Sequence, residues 1–184
     1  FGPDAGLPGT DFKVSCERAD NGWTWKPLGR APDEEPEVFR RYSREQIPRL
    51  FGERYSEAIW NSGFVVITTE KPRAICLLVT IDREGMSEQF QYQNRFLAPD
   101  RFQWQSQNRT AQDSKYGRLI RDHQQLGVAV HLFVRAEKKR GSAPAAFLYC
   151  GTVTFEKWEG NEPVTVDWRL HQPVPERLLE SFGR

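Results

Sequence analysis

Apolar and polar positions along this chain recur mostly at the two-residue spacing of strands. Residues 63–69 (Gly63-Phe64-Val65-Val66-Ile67-Thr68-Thr69) and 74–81 (Ala74 to Ile81) are apolar and rich in β-branched side chains. Lys71-Pro72-Arg73 between them supplies a turn, so the two predict a hairpin. Residues 127–135 alternate and are rich in Val. Residues 145–155 and 164–170 read as a second hairpin around Glu159-Gly160-Asn161-Glu162. Helical spacing is confined to short stretches. Over residues 37–52, Ile47, Leu50 and Phe51 form an apolar stripe, Ser43 and Gln46 a capping box, and Gly52 a stop. Ser114 caps a predicted helix through His123, with Leu119 and Ile120 on its buried side. Pro175 suits the first turn of a last helix through Phe182. The strand–helix–strand alternation that a parallel sheet needs is missing from this pattern. The prediction is an α+β, mainly β domain: a curved, mostly antiparallel sheet or barrel with two or three peripheral helices.

One predicted strand departs from the habit of the others. In Phe102-Gln103-Trp104-Gln105-Ser106-Gln107-Asn108, Phe102 and Trp104 share one face, and a polar run follows without an aliphatic residue. Amide side chains pair a donor with an acceptor, as recognition of a nucleobase edge requires. Aromatic rings offer a face for stacking. The stretch therefore reads as a strand that ends in a polar pocket with aromatic walls. The plainer reading is a core strand with a polar end, and alternation puts both rings on one side, so at least one of them belongs to the core. Gln89-Phe90-Gln91-Tyr92-Gln93-Asn94 mixes aromatics and amides in the same way.

Composition sets the limits. A length of 184 residues suits one domain, over 37–184, after an N-terminal extension or linker over 1–36 that is rich in Gly, Pro and acids. Trp23 and Trp25 alternate there and predict a short strand packed on the domain. Cys16, Cys76 and Cys150 are odd in number and match no metal spacing, which points to reduced thiols and a cytoplasmic setting. No signal peptide or membrane-length apolar run appears. The start at Phe1-Gly2-Pro3, without Met, leads to the expectation of a piece of a longer protein, which would then carry further domains.

Catalytic signals are weak. His123, His131 and His171 have no partner at metal spacing, and His131 in its apolar strand reads as a core residue. Neither a phosphate-binding glycine loop nor a Gly-x-Ser-x-Gly elbow occurs. No catalytic residue, cofactor or metal is therefore expected of this chain. Charge says more. The net charge is +1 overall, yet residues 109–140 carry eight basic residues against three acidic ones, a surplus of 8 − 3 = +5. Arg109, Lys115, Arg118, Lys138, Lys139 and Arg140 in that segment are candidates for DNA-backbone phosphates. A solvated basic face without a partner is the alternative.

Several motifs run in order along most of the chain. They are Phe102-x-Trp104-Gln105-Ser106-Gln107-Asn108, then Gly127 to Arg135 followed by Glu137-Lys138-Lys139. Phe147-Leu148-Tyr149-x-Gly151, Trp168-Arg169-Leu170, Pro173 and Pro175-x-x-Leu178-Leu179 follow. From about Tyr42 to Leu179 the chain resembles the C-terminal domain of unknown function carried by many bacterial superfamily-two helicases. Some of those proteins are ATP-driven, modification-dependent (type IV) restriction enzymes. The resemblance implies a curved β-barrel of the SRA-like, PUA-like type, which binds modified cytosine and in several cases flips the base between aromatics. The family's usual Tyr-x-Asp pattern is here Tyr92-Gln93-Asn94, an amide in place of a carboxylate.

The aromatic–amide strand, the basic segment and the family resemblance together carry one expectation. The domain binds double-stranded DNA carrying a modified base, 5-methylcytosine or another modified cytosine, by base flipping. It is not itself an enzyme, and it lends specificity to nuclease or helicase domains of its parent protein. The expected pocket comprises Tyr92, Asn94, Phe102, Trp104, Gln105, Ser106, Gln107 and Asn108. A modified-RNA reader and a protein-interaction module that regulates a helicase are the rival readings.

Overall fold

The computed structural model describes residues 14–19, 22–27, 36–69, 71–81 and 94–183. β1 (Val14–Ala19) and β2 (Gly22–Pro27) pair antiparallel as a small sheet of their own. Trp23 and Trp25 lie on β2, as their alternation predicts; the packing expected of their side chains falls outside the described part of the structure.

The main sheet has eight strands. They are β3 (Arg41–Tyr42), β4 (Phe64–Thr68), β5 (Pro72–Thr80), β6 (Arg95–Ala98), β7 (Arg101–Gln105), β8 (Ala129–Arg135), β11 (Phe147–Glu159) and β12 (Thr165–Leu170). The order is β4-β5-β8-β11-β12-β7-β6, with β3 paired to the start of β11. β9 (Lys139–Arg140) and β10 (Ala143–Pro144) form a short hairpin of their own between β8 and β11.

Two features depart from the sequence prediction. First, β5 and β8 run parallel, from Ala74 opposite Ala129 to Thr80 opposite Arg135. The reason lies in burial. Ile75, Leu77 and Val79 enter one core cluster, and Ala74, Cys76 and Leu78 enter a second on the other face. A strand covered on both faces reads as a continuous apolar run, the habit of parallel strands. Second, the sheet does not close: β4 and β6 end it and are not hydrogen-bonded to one another. The expected barrel is thus an open, curled sheet.

Helices cover both faces. α1 (Ile47–Leu50) and α2 (Glu57–Trp60) bring Ile47, Leu50 and Trp60 into the second cluster, against Phe133, Phe147 and Tyr149. The helix predicted over 37–52 is shorter than expected, because Arg41 and Tyr42 are taken by the edge of β11. Its capping box still forms: the Ser43 amide donates to Gln46 Oε1 (2.9 Å) and the Gln46 amide to Ser43 Oγ (3.2 Å). Gly52 follows with a φ of 72°. α3 (Lys115–Asp122) adds Leu119 and Ile120 to the first cluster, and its cap Ser114 accepts from the Gly117 amide, as predicted. α4 (Glu176–Leu179) closes the chain with a 3-10 turn.

His123 and His131 are structural. His123 Nδ1 donates to Val128 O (2.8 Å) while Nε2 accepts from the Phe155 amide (3.1 Å), which ties the end of α3 to β11 in one neutral tautomer. His131 Nδ1 meets the Tyr149 hydroxyl at 2.7 Å, with Phe51 edge-on to its ring. Burial pushes its pKa down to about 4. Burial also raises the thiols of Cys76 and Cys150, the latter to about 12, so both are inert free cysteines.

Gly117 lets α3 sit against the preceding loop: a Cβ there would lie 2.1 Å from Ala111 O and 2.6 Å from Gln112 O. Gly117→Ala is expected to destabilise the fold by at least about 2 kcal/mol in urea unfolding. Gly127→Ala, at φ +68° in open space, is expected to cost only about 1–2 kcal/mol.

His131 gives a second prediction. Its folded pKa lies below the ordinary 6.5, so the unfolded chain binds the extra proton first. Its contribution is complete above pH 6.5 and is lost as the pH falls towards 4, by on the order of 3 kcal/mol at most. Urea midpoints measured across that range should fall, and His131→Gln should flatten the fall.

Candidate nucleic-acid interface

The ends of the curled sheet approach one another at a seam. Side chains bridge it where main-chain hydrogen bonds do not. The Phe64 ring of β4 stacks on Trp104 of β7, with centroids 5.9 Å apart and planes at 26°. Gln107 Nε2 donates to Ser62 Oγ at 3.2 Å. Trp104 is 5% exposed and also packs on Trp168 at 6.4 Å, so Phe64, half-buried, offers more accessible ring.

Two clefts flank this bridge, and Phe64, Trp104 and Gln107 line both. The smaller, of about 200 Å³, also takes in Val79, Thr80, Asn94, Gln105 and Ser106. The larger, of about 630 Å³, lies towards α2 and α3 and is walled by Ile59, Val66, Lys115 and Tyr116. Tyr116 sits edge-on to Phe64 at 5.6 Å. No carboxylate lines either cleft among the described residues.

The polar groups of the smaller cleft differ in what they have to offer. Asn94 is buried, and its Oδ1 accepts from the Gln105 amide (2.9 Å), which leaves its Nδ2 as a donor. Gln107 donates through Nε2, which leaves Oε1 as an acceptor. Ser106 is spent: its Oγ accepts from the Val164 amide (2.9 Å) and donates to Gln107 O (3.1 Å). Gln105 Nε2 faces Thr165 Oγ1 at 3.5 Å across the β7–β12 pair.

The expected pocket residues thus separate. Asn94, Trp104, Gln105, Ser106 and Gln107 gather at the smaller cleft. Phe102 does not join them: it is fully buried and packs edge-on against Phe96 at 4.9 Å. Asn108 is exposed and lines neither cleft. Tyr92 lies outside the described residues. The polar loop after β7 is pinned, because Gln112 bonds to Asn161 Oδ1 and Gly160 O at 2.8 and 2.7 Å.

The basic candidates occupy separate places. Lys115 lines the larger cleft, and Arg118 is exposed on the same helix. Arg109 is exposed on the loop after β7. Lys138, Lys139 and Arg140 are exposed on the β9–β10 hairpin and its approach.

Sequence reasoning missed Phe64 and Tyr116. Phe64 looked like any strand residue, and its partner is far along the chain. Tyr116 was legible, since it stands three and four residues before Leu119 and Ile120 on one helical stripe. No group of three or more His, Cys, Asp and Glu able to hold a metal occurs among the described residues. No described helix is long and apolar enough to cross a membrane.

The fold has a relative among solved structures. The DNA modification-dependent restriction endonuclease AspBHI is similar, with a TM-score of 0.52 and 15% identity, over 83% of this chain and 84% of that one. At that identity the likeness is one of fold. No curated protein matches the sequence. The family model described as "Domain of unknown function (DUF3427)" matches residues 37–182, most of the chain and all of the main sheet, and the chain therefore belongs to that family.

Proposed function

We propose that this domain is a DNA-recognition module that reads a modified base, a cytosine derivative, flipped into the smaller cleft. It would give modification-dependent targeting to nuclease or helicase domains elsewhere in its parent protein and perform no chemistry itself. The fold of a DNA modification-dependent restriction endonuclease supports the restriction setting. The observation that carries the proposal is the pairing of one free donor with one free acceptor beside an aromatic stack.

Cytosine presents an amino donor next to ring-nitrogen and carbonyl acceptors. Asn94 Nδ2 can donate to the acceptors, and Gln107 Oε1 can accept from the amino group. The Asn94 arrangement answers the missing carboxylate: its own acceptor is held by the Gln105 amide, so acceptance passes to Gln107. The volume agrees, because about 200 Å³ is below the roughly 300–1,000 Å³ typical of drug-sized ligands and suits one ring. Flipping costs a few kcal/mol. Stacking on an aromatic returns roughly 1–3 kcal/mol, and the hydrogen bonds and phosphate contacts supply the rest. The absence of lining carboxylates keeps the described part of the clefts free of repulsion towards DNA.

The test is a binding titration at near-physiological salt. Matched duplexes carry cytosine, 5-methylcytosine, 5-hydroxymethylcytosine or a glucosylated form, with a modified RNA duplex beside them. A preference of about tenfold or more, worth about 1.4 kcal/mol, is expected for one modified DNA duplex. Asn94→Ala and Gln107→Ala should each remove most of it without unfolding the chain, as circular dichroism would check. Trp104→Ala should lose both preference and stability. Equal, weak binding to every duplex would sink the proposal, and a preference for the RNA would redirect it.

A further inference from the structure

Thr80, which lines the smaller cleft, is hydrogen-bonded to Arg135, which lines a different cleft of about 380 Å³. Three guanidinium groups border that cleft: Arg41 of β3, Arg135 of β8 and Arg140 of β9. The fold assembles them from distant parts of the chain. β3 reaches the site by pairing with the start of β11, and the β9–β10 hairpin is held back by the Ala145 amide on Lys138 O (2.9 Å).

Arg135 is the unusual member. It is 8% exposed, and no carboxylate forms an ion pair with it among the described residues. Its Nε donates to Thr80 Oγ1 (2.9 Å), its Nη1 donates to Ala145 O (3.2 Å), and its guanidinium lies 4.4 Å from the Phe147 ring centroid. These partners are all neutral. A buried cation without counter-charge is unfavourable, because burial strips its hydration. Arg44, over the same Phe147 ring at 5.1 Å, adds a second positive charge. Burial first, and Arg44 second, bring the Arg135 pKa down to about 10, so it remains cationic at neutral pH. Arg41 and Arg140 are exposed and unpaired among the described residues. Glu137, also exposed, is the one carboxylate in the described lining, against three arginines. Ser181 also lines the cleft, but its hydroxyl donates to Leu178 O (2.6 Å) and brings no free donor.

We propose that this cleft seats a backbone phosphate of the bound duplex, with Arg135 as its buried floor and Arg41 and Arg140 as exposed clamps. The proposal rests on the DNA reading above. A phosphate would supply the charge that Arg135 lacks, and arginine forks match its oxygens in pairs. The Thr80–Arg135 hydrogen bond would then link the phosphate seat to the base cleft. Phosphate contacts set register while base contacts specify.

The experiment measures duplex affinity over a salt series for the whole chain and for Arg41→Ala and Arg140→Ala, both at exposed positions. Each variant is expected to reduce the steepness of log K against log salt by about 0.9. Each should weaken modified and unmodified duplexes by the same factor. Lys157→Ala, which lines none of these clefts, serves as a control expected to keep the wild-type slope. If either arginine variant keeps the wild-type slope while duplex still binds, the phosphate seat is overturned and the DNA reading stands. If the unaltered chain binds no duplex, both fall together.

Discussion

The contact between Phe64 and Trp104 is the constraint on which the rest of the structure turns. A sheet this curled must either close its edges with main-chain hydrogen bonds or bridge them by other means. Here the rings do it, with Gln107 and Ser62 beside them. Such an aromatic pair contributes about 0.5–1.5 kcal/mol beyond the area it buries. A main-chain closure would have filled the seam. A side-chain closure leaves space on both sides, and those spaces are the two clefts.

Burial on both faces of β5 and β8 explains why the seam holds its shape. One face is packed by α3 and the other by α1 and α2, so neither strand can shift without opening a core cluster. Buried polar groups behind the seam are satisfied within the fold. His123 joins the end of α3 to Val128, just before β8, and to β11, and Ser106 ties the end of β7 to Val164. The Nε1 of Trp168 is the exception among the described residues, a buried donor without a partner.

Charge follows a different logic from packing. On β7, β11 and β12, Arg101 and Arg169 share Glu156, and Arg169 also reaches Asp100. Those cations are answered by carboxylates of the chain. Among the described residues, Arg41, Arg135 and Arg140 are not. The overall charge of +1 conceals this division between neutralised and unneutralised arginines.

The sequence by itself determined the elements whose signals are local. The 64–68 and 72–80 hairpin, the Ser114 cap of α3, the Ser43–Gln46 box and the Gly52 stop all depend on neighbours a few residues apart. The mainly β class followed from the same periodicity. Tertiary structure alone decided the parallel pairing of β5 with β8, because an apolar run does not say which strand will cover it. It alone sent Phe102 to the core and left Trp104 at the seam, since the two share one face and identical periodicity. It also decided which amides remain free: Asn94, Ser106 and Gln107 look alike as polar residues, and only their partners at Gln105, Val164 and Ser62 separate them. Hydrogen-bond capacity is spent across long chain separations, and a linear pattern carries no record of where.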